Sequence, residues 1–210
     1  MYRFTDTEFD SQNDGVRDTN RNANWRSDRS QDHELNDFFV GAEFEPGGKL
    51  SGEVKVGYGS KDWKNTRDIS GNVLNDHDTW LAETSVTYQP TERTGLTLMF
   101  QRSQLGSTDT DTSTYDNTIL GLTLRQELIH RFTLIAGAEW NQNDYQDEPV
   151  GRPEKRYDIY TFNAGVDYKA NRWLTFGVNY RYKEKNASDT AYATGEYEVN
   201  ALSAKASAAF

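Results

Sequence analysis

Three histidines, His33, His77 and His130, are the first residues on which chemistry could rest. Histidine works as a general base when a nucleophilic hydroxyl and an orienting carboxylate accompany it. No Ser–His–acid constellation is marked in this chain. His33 and His77 fall in long polar segments and His130 in a short turn, which suits solvated side chains. The acidic run Asp109-Thr110-Asp111-Thr112-Ser113 offers oxygen ligands for Ca2+, but it lacks the EF-hand loop with its Gly and closing Glu. Asp144, Asp147 and Glu148 read the same way, as solvated polar residues. Arg17, Arg21, Arg26 and Arg29 are interspersed with aspartates. They could meet lipopolysaccharide phosphates through charge-assisted bonds, although balanced loop charge is the favoured reading. With no Cys there is neither a disulfide framework nor a thiolate metal site. The expectation is a protein without enzymatic activity, metal or cofactor.

A second set of charged residues is more informative because it recurs at every second position. Glu43, Glu53, Lys55, Glu83, Arg125, Glu139, Asp167, Arg181 and Lys205 share their faces with many Gly, Ser and Thr. The positions between them are apolar. Tyr160, Phe162, Ala164, Val166 and Tyr168 alternate with Thr161, Asn163, Gly165 and Asp167. The next segment repeats this, with Leu174, Phe176, Val178, Tyr180 and Tyr182 against Thr175, Gly177, Asn179 and Arg181. Successive side chains of a strand point to opposite faces, so alternation of this length predicts strands. The same pattern starts at Phe38, Val54, Trp80, Leu96, Leu120 and Phe132, and it ends the chain from Leu202 to Phe210. Nine strands follow from it, and a tenth at Tyr2 to Glu8 is needed if the next connection lies on the long-loop side.

The connections alternate in kind. Glu45–Lys49, Gln89–Arg93, Glu127–Arg131 and Lys169–Arg172 are short, and each delivers a basic residue just before the next strand. Segments 10–34, 60–78, 104–116, 142–156 and 184–196 are long and polar. A series of hairpins with short turns at one end and long loops at the other predicts an antiparallel up-and-down transmembrane β-barrel spanning residues 1–210 as one domain, with about ten strands in this chain. No apolar run reaches the ~18 residues of a membrane-spanning helix. The net charge of -10 argues against a general nucleic-acid binder. Abundant aromatics, with 5 Trp, 12 Tyr and 10 Phe, argue against disorder.

Alternation alone also fits a soluble sandwich or a lipocalin-like barrel with its apolar face inside. Three features turn the apolar face outward. The polar face is too charged for the outer wall of a small barrel. The aromatics Tyr88, Tyr168 and Trp173 flank the short turns, while Trp80, Trp140, Tyr160, Tyr180 and Tyr182 lie toward the long loops. Two such levels are expected of rings seated at the two lipid headgroup layers. Finally, the last strand ends on Phe210, which is similar to the C-terminal assembly signal of outer-membrane barrels. No signal peptide is visible, so the chain reads as a mature form or a fragment of an exported protein.

Stretches such as Gly48-Lys49-Leu50-Ser51-Gly52-Glu53-Val54, Tyr88-Gln89-Pro90-Thr91 and Leu124-Arg125-Gln126-Glu127-Leu128 resemble the β-barrel porin type 2 family of Gram-negative bacteria. So does Tyr168-Lys169-Ala170-Asn171-Arg172-Trp173-Leu174-Thr175-Phe176-Gly177-Val178-Asn179-Tyr180-Arg181-Tyr182. The resemblance implies a bacterial outer-membrane location and, in many members, a link to exopolysaccharide or capsule export. Members are usually longer, so it also implies the C-terminal portion of a larger barrel, or a short member. The expected partners are outer-membrane lipid and lipopolysaccharide, the barrel-assembly machinery, and a polysaccharide or small solute. The acidic residues on the charged face outnumber the basic ones, a lining that would modestly favour cations if the lumen is open. With ten strands the same residues are expected to pair across the interior and plug it, leaving a surface-interaction barrel; with sixteen or more a channel follows.

Overall fold

The computed structural model describes residues 2–7, 33–64, 75–107, 114–129, 131–146 and 153–208. They form ten strands: β1 Tyr2–Thr7, β2 His33–Phe44, β3 Leu50–Trp63, β4 His77–Thr91, β5 Thr94–Gly106, β6 Thr114–Ile129, β7 Phe132–Gln146, β8 Arg156–Lys169, β9 Leu174–Ala187 and β10 Tyr197–Ala208. Each strand pairs antiparallel with its neighbours in sequence, giving one ten-stranded meander in the order β1 to β10. β1, required by the loop alternation, pairs only with the His33–Phe38 half of β2. Among the described residues β1 and β10 are not paired with each other, and the sheet is open between them.

The register gives the sheet a simple rule. Val56 lies opposite Val40 and Ala82, while Gly57 lies opposite Phe39 and Leu81. Odd residues face odd and even face even in every ladder, apart from single shifted pairs at two short turns. Because side chains alternate along each strand, one face of β2–β10 is built from odd-numbered residues and the other from even-numbered ones. The even face is apolar and open: Phe38, Val56 and Leu202 are 55%, 59% and 76% exposed. On the odd face, the buried apolar side chains Phe39 and Leu81 lie against Gly57 and Gly59, where a Cβ would meet their rings and methyls at 2.8 and 3.0 Å.

The strands run several residues into the segments that read as long loops. β7, for example, continues through Asn141-Gln142-Asn143-Asp144 to Gln146. These ends are polar on both faces, so they carry no hydrophobic alternation. At the opposite end the turns are tight. Gly47 and Gly48 hold φ of 71° and 74° between β2 and β3, a left-handed conformation that strains residues with a Cβ. Asn171 closes the β8–β9 turn, its side-chain oxygen accepting from the Trp173 and Leu174 amides at 2.9 Å each.

Near the long loops the sheet laps over itself. Pairing of β4 with β5 stops at Ala82 and Arg102, and above this point His77–Leu81 pair with β3 alone. Lys61 on the odd face of β3 donates to Thr114 on the even face of β6 at 3.0 Å, and both are fully buried. The tips of β3 and β4 therefore cover the even face of β5 and β6. The seam is polar, with Thr79, Gln104, Asp116 and Thr118 buried in it.

Candidate functional site

The nine charged residues singled out from alternation are all odd-numbered and share one face of the sheet. They fall into three neighbourhoods of different chemistry. On β2–β4, Glu43 lies opposite Glu53, and Lys55 lies opposite Glu83. The Lys55 ammonium pairs with the Glu53 carboxylate and stands 3.8 Å from that of Glu83, so one lysine ties two of three acids. Toward the short turns Asp167 on β8 meets Lys205 on β10 at 3.1 Å, reaching past β9. Gly177 is the β9 residue between them in register, and a Cβ there would collide with both side chains. Arg125 stands exposed near the β6 short-turn end, opposite Gly95 and Ile135.

The third neighbourhood is a pocket of about 370 Å³ on β7–β9, lined by Glu139, Thr161, Asn163, Asn179, Arg181 and Lys183. Glycines make room for it. A Cβ at Gly137 would meet the Asn163 side-chain oxygen at 2.5 Å, and one at Gly165 would meet that of Asn179 at 2.8 Å. Both amides can therefore lie along the wall instead of being pushed off it. Lys183 and Lys185 escaped the sequence reading because Lys183-Glu184-Lys185 is polar on both faces. They add two basic groups to the four among the nine residues, against five acids.

The aromatic residues occupy two levels of the even face. Phe132 and Tyr168 pair near the short turns, with ring centres 4.8 Å apart, and Tyr88 sits at the same end of β4. Trp173 is exposed in the turn itself. Toward the long loops Trp80 stacks on Phe100 under the Arg102 guanidinium, and Trp140 lies opposite Tyr160 and donates to Asp158 at 3.0 Å. Tyr182 packs against Phe162 and donates to Glu184. Tyr180 lies lower, between Ala164 and Leu202 in the aliphatic band. The eight residues separating Phe132 from Trp140 span roughly 27 Å of strand, or about 20 Å of height after a ~40° tilt, near the ~25 Å apolar band of outer-membrane barrels.

The two described histidines serve the upper structure. His33 packs its ring on Trp63 at 5.1 Å. His77 Nε2 lies 3.3 Å from the buried carboxylate of Asp116, whose other oxygen accepts from Arg102 at 2.6 Å and Thr79 at 3.1 Å. This network fastens β4 to β5 and β6 across the lap. Nearby, Tyr115, Tyr145 and Tyr157 form an odd-face ring cluster, with the Lys155 and Lys185 ammonium groups over Tyr145 and Tyr157 at 4.6 and 3.7 Å. The 3-10 segment Thr190–Gly195 sits on it, Tyr192 donating to the Pro153 carbonyl. None of these contacts has a local sequence signal. Asp116 reaches His77 and Thr79 across two strands, and the ring contacts join neighbouring strands at ends without apolar alternation.

His130, Phe210, Asp147, Glu148, the run 109–113 and Arg17, Arg21, Arg26 and Arg29 lie outside the described residues. Asp144 stands opposite Asp116 and Arg156. Among the described residues no group of three His, Asp or Glu side chains is placed to hold a metal.

The family described as "Putative beta-barrel porin 2" matches residues 4–210. The chain belongs to this family. Its ten-stranded meander is thus the sheet of a barrel-porin family member, and the resemblance read from the residues extends over nearly the whole sequence. No curated protein and no solved structure matches the chain.

Proposed function

We propose that this member of the barrel-porin family sits in a bacterial outer membrane, with its even face against lipid and its odd face around a water-filled lumen through which small solutes pass, without catalysis. The observation that carries this reading is the division of the sheet by residue parity. Large apolar residues cover the even face in the open, while the charged residues, amides and glycines gather on the odd face. A soluble protein would bury the first and expose the second. In lipid, backbone groups at a sheet edge must be satisfied, so closure is required, within the chain or with further strands. Lipopolysaccharide at the long-loop rim and the assembly machinery at the last strand are the partners this reading entails. Association with polysaccharide export is the narrower proposal, supported by the family resemblance alone.

Reconstitution into planar bilayers tests conduction. Discrete current steps are expected from folded protein; a silent membrane that contains folded protein would sink the pore reading. A second reading, a barrel with a plugged lumen that acts through its rim, is favoured by one observation: the segment 188–196 is fastened over the odd face, with Gly195 against the Tyr157 ring. Replacing 190–195 by a short glycine linker separates the two. Unchanged current places the constriction elsewhere, and current that appears only after the replacement supports the plug.

A further inference from the structure

We propose that the pocket on β7–β9 is a binding subsite for an anionic, hydroxyl-rich solute of the sugar-acid class. The argument starts from which charges on the odd face are already satisfied. Lys55 is engaged by Glu53 and Glu83, and Asp167 by Lys205. Glu43, Arg125, Glu139 and Arg181 have no ion-pair or hydrogen-bond partner among the described residues, and of these four Glu139 and Arg181 line one pocket together. The β7–β9 wall is therefore where uncommitted groups of both signs face one pocket and keep bonding capacity for something that is not part of the chain.

The register sets out what that something looks like. Glu139, Thr161 and Lys183 lie side by side across β7, β8 and β9, and the next row down holds Gly137, Asn163 and Arg181. The basic groups thus stand on β9 and the acid on β7, about 10 Å away at two strand spacings, with hydroxyl and amide groups between. A guanidinium presents a fixed fork that matches a carboxylate. Amides both donate and accept, which suits hydroxyls in either orientation, and an ionised Glu139 only accepts, which suits a hydroxyl that donates. An inorganic anion would use the β9 side alone. A ligand with a carboxylate at one end and hydroxyls along its length uses the whole row. The volume of about 370 Å³ falls at the small end of the ~300–1,000 Å³ range of ligand pockets, suited to a single sugar ring.

The approach is graded in the same sense. Arg181, Lys183 and Lys185 form a column on β9 that climbs toward the long loops, one basic group every second residue. An aligned column of like charge raises the local concentration of anions and guides them inward. This proposal rests on the odd face being the water-filled side, but it does not need conduction, so binding and current fail independently.

The test is calorimetric titration of the full chain folded in detergent micelles, with sodium glucuronate, glucose and glucosamine as probes. Glucuronate is expected to saturate and to bind more tightly than either of the others. Arg181→Gln should weaken it by about tenfold, the size of one lost charge-assisted bond, and Lys183→Gln by less. Lys55→Gln, on the other wall, should leave the affinity unchanged, and circular dichroism confirms that each variant is folded. A short oligouronate binding more tightly than the monomer would mark a path for a chain, and equal binding a site for free solute; either supports the subsite. Glucuronate binding no tighter than glucose, or affinity unmoved by both β9 substitutions, overturns it.

Discussion

At the scale of single residues, the polar seam is where a substitution should be felt most. Asp116 is 4% exposed and accepts from Arg102, Thr79 and His77. Removing its carboxylate strands a guanidinium whose Nε already has no partner in the seam. Breaking a buried pair by deleting one partner costs roughly 3–5 kcal/mol. Asp116→Ala should therefore lower stability by about 3 kcal/mol, read as a shift of the urea midpoint in micelles. A change below the ~0.5 kcal/mol of an ordinary surface site would mean that the seam is solvated. Gly177 makes the complementary case. Gly177→Val should separate Asp167 from Lys205 and destabilise by roughly 1–3 kcal/mol through overpacking, while Gly95→Val, where no atom lies near, should be nearly neutral. Neither residue could have been singled out from the sequence. Asp116 has no apolar alternation around it, and the role of Gly177 depends on two registers at once.

At the scale of elements, the strands were readable wherever one face must be apolar and the other polar. Phe38 to Phe44 and Tyr160 to Tyr168 declare their faces by alternation, and their register follows from it. The long-loop ends were not readable because they are polar on both faces, and Asn141 to Asp144 carry no apolar alternation of their own. Backbone pairing, with side-chain bonds from Asn117 to Asn141 and Asn143 and from Gln142 to Asp158, holds them in the sheet. For the same reason Lys183 and Lys185 went unassigned, though both sit in the wall that holds the pocket or its approach. The charged face itself was legible, but the contacts that join its members across a strand were not. Face assignment has an energetic consequence. Leu122 lies in the middle of β6 on the even face, between Leu98 and Ala138. Leu122→Arg should cost about 2–4 kcal/mol if that face meets lipid at mid-depth. Thr123→Arg, one residue along and on the odd face, should cost far less. Equal costs for the two, measured by reversible unfolding in lipid, would count against a lipid-facing even side.

At the scale of the whole molecule, one rule of parity organises composition, topology and the proposed role. It explains how a chain with a net charge of -10 can suit a membrane: only every second strand residue must be apolar, and the charges collect on the other face. The absence of cysteine makes the rule directly measurable. Single substitutions Val56→Cys, Leu122→Cys and Val178→Cys sample the even face, and Gln101→Cys, Thr123→Cys and Asn179→Cys the odd face. Each variant is folded into lipid vesicles and exposed to a membrane-impermeant maleimide, or labelled with a fluorophore and challenged with brominated lipid. The account predicts reaction with the aqueous reagent at odd positions and quenching by lipid at even ones. The reverse pattern, or reactivity that ignores parity, would contradict it.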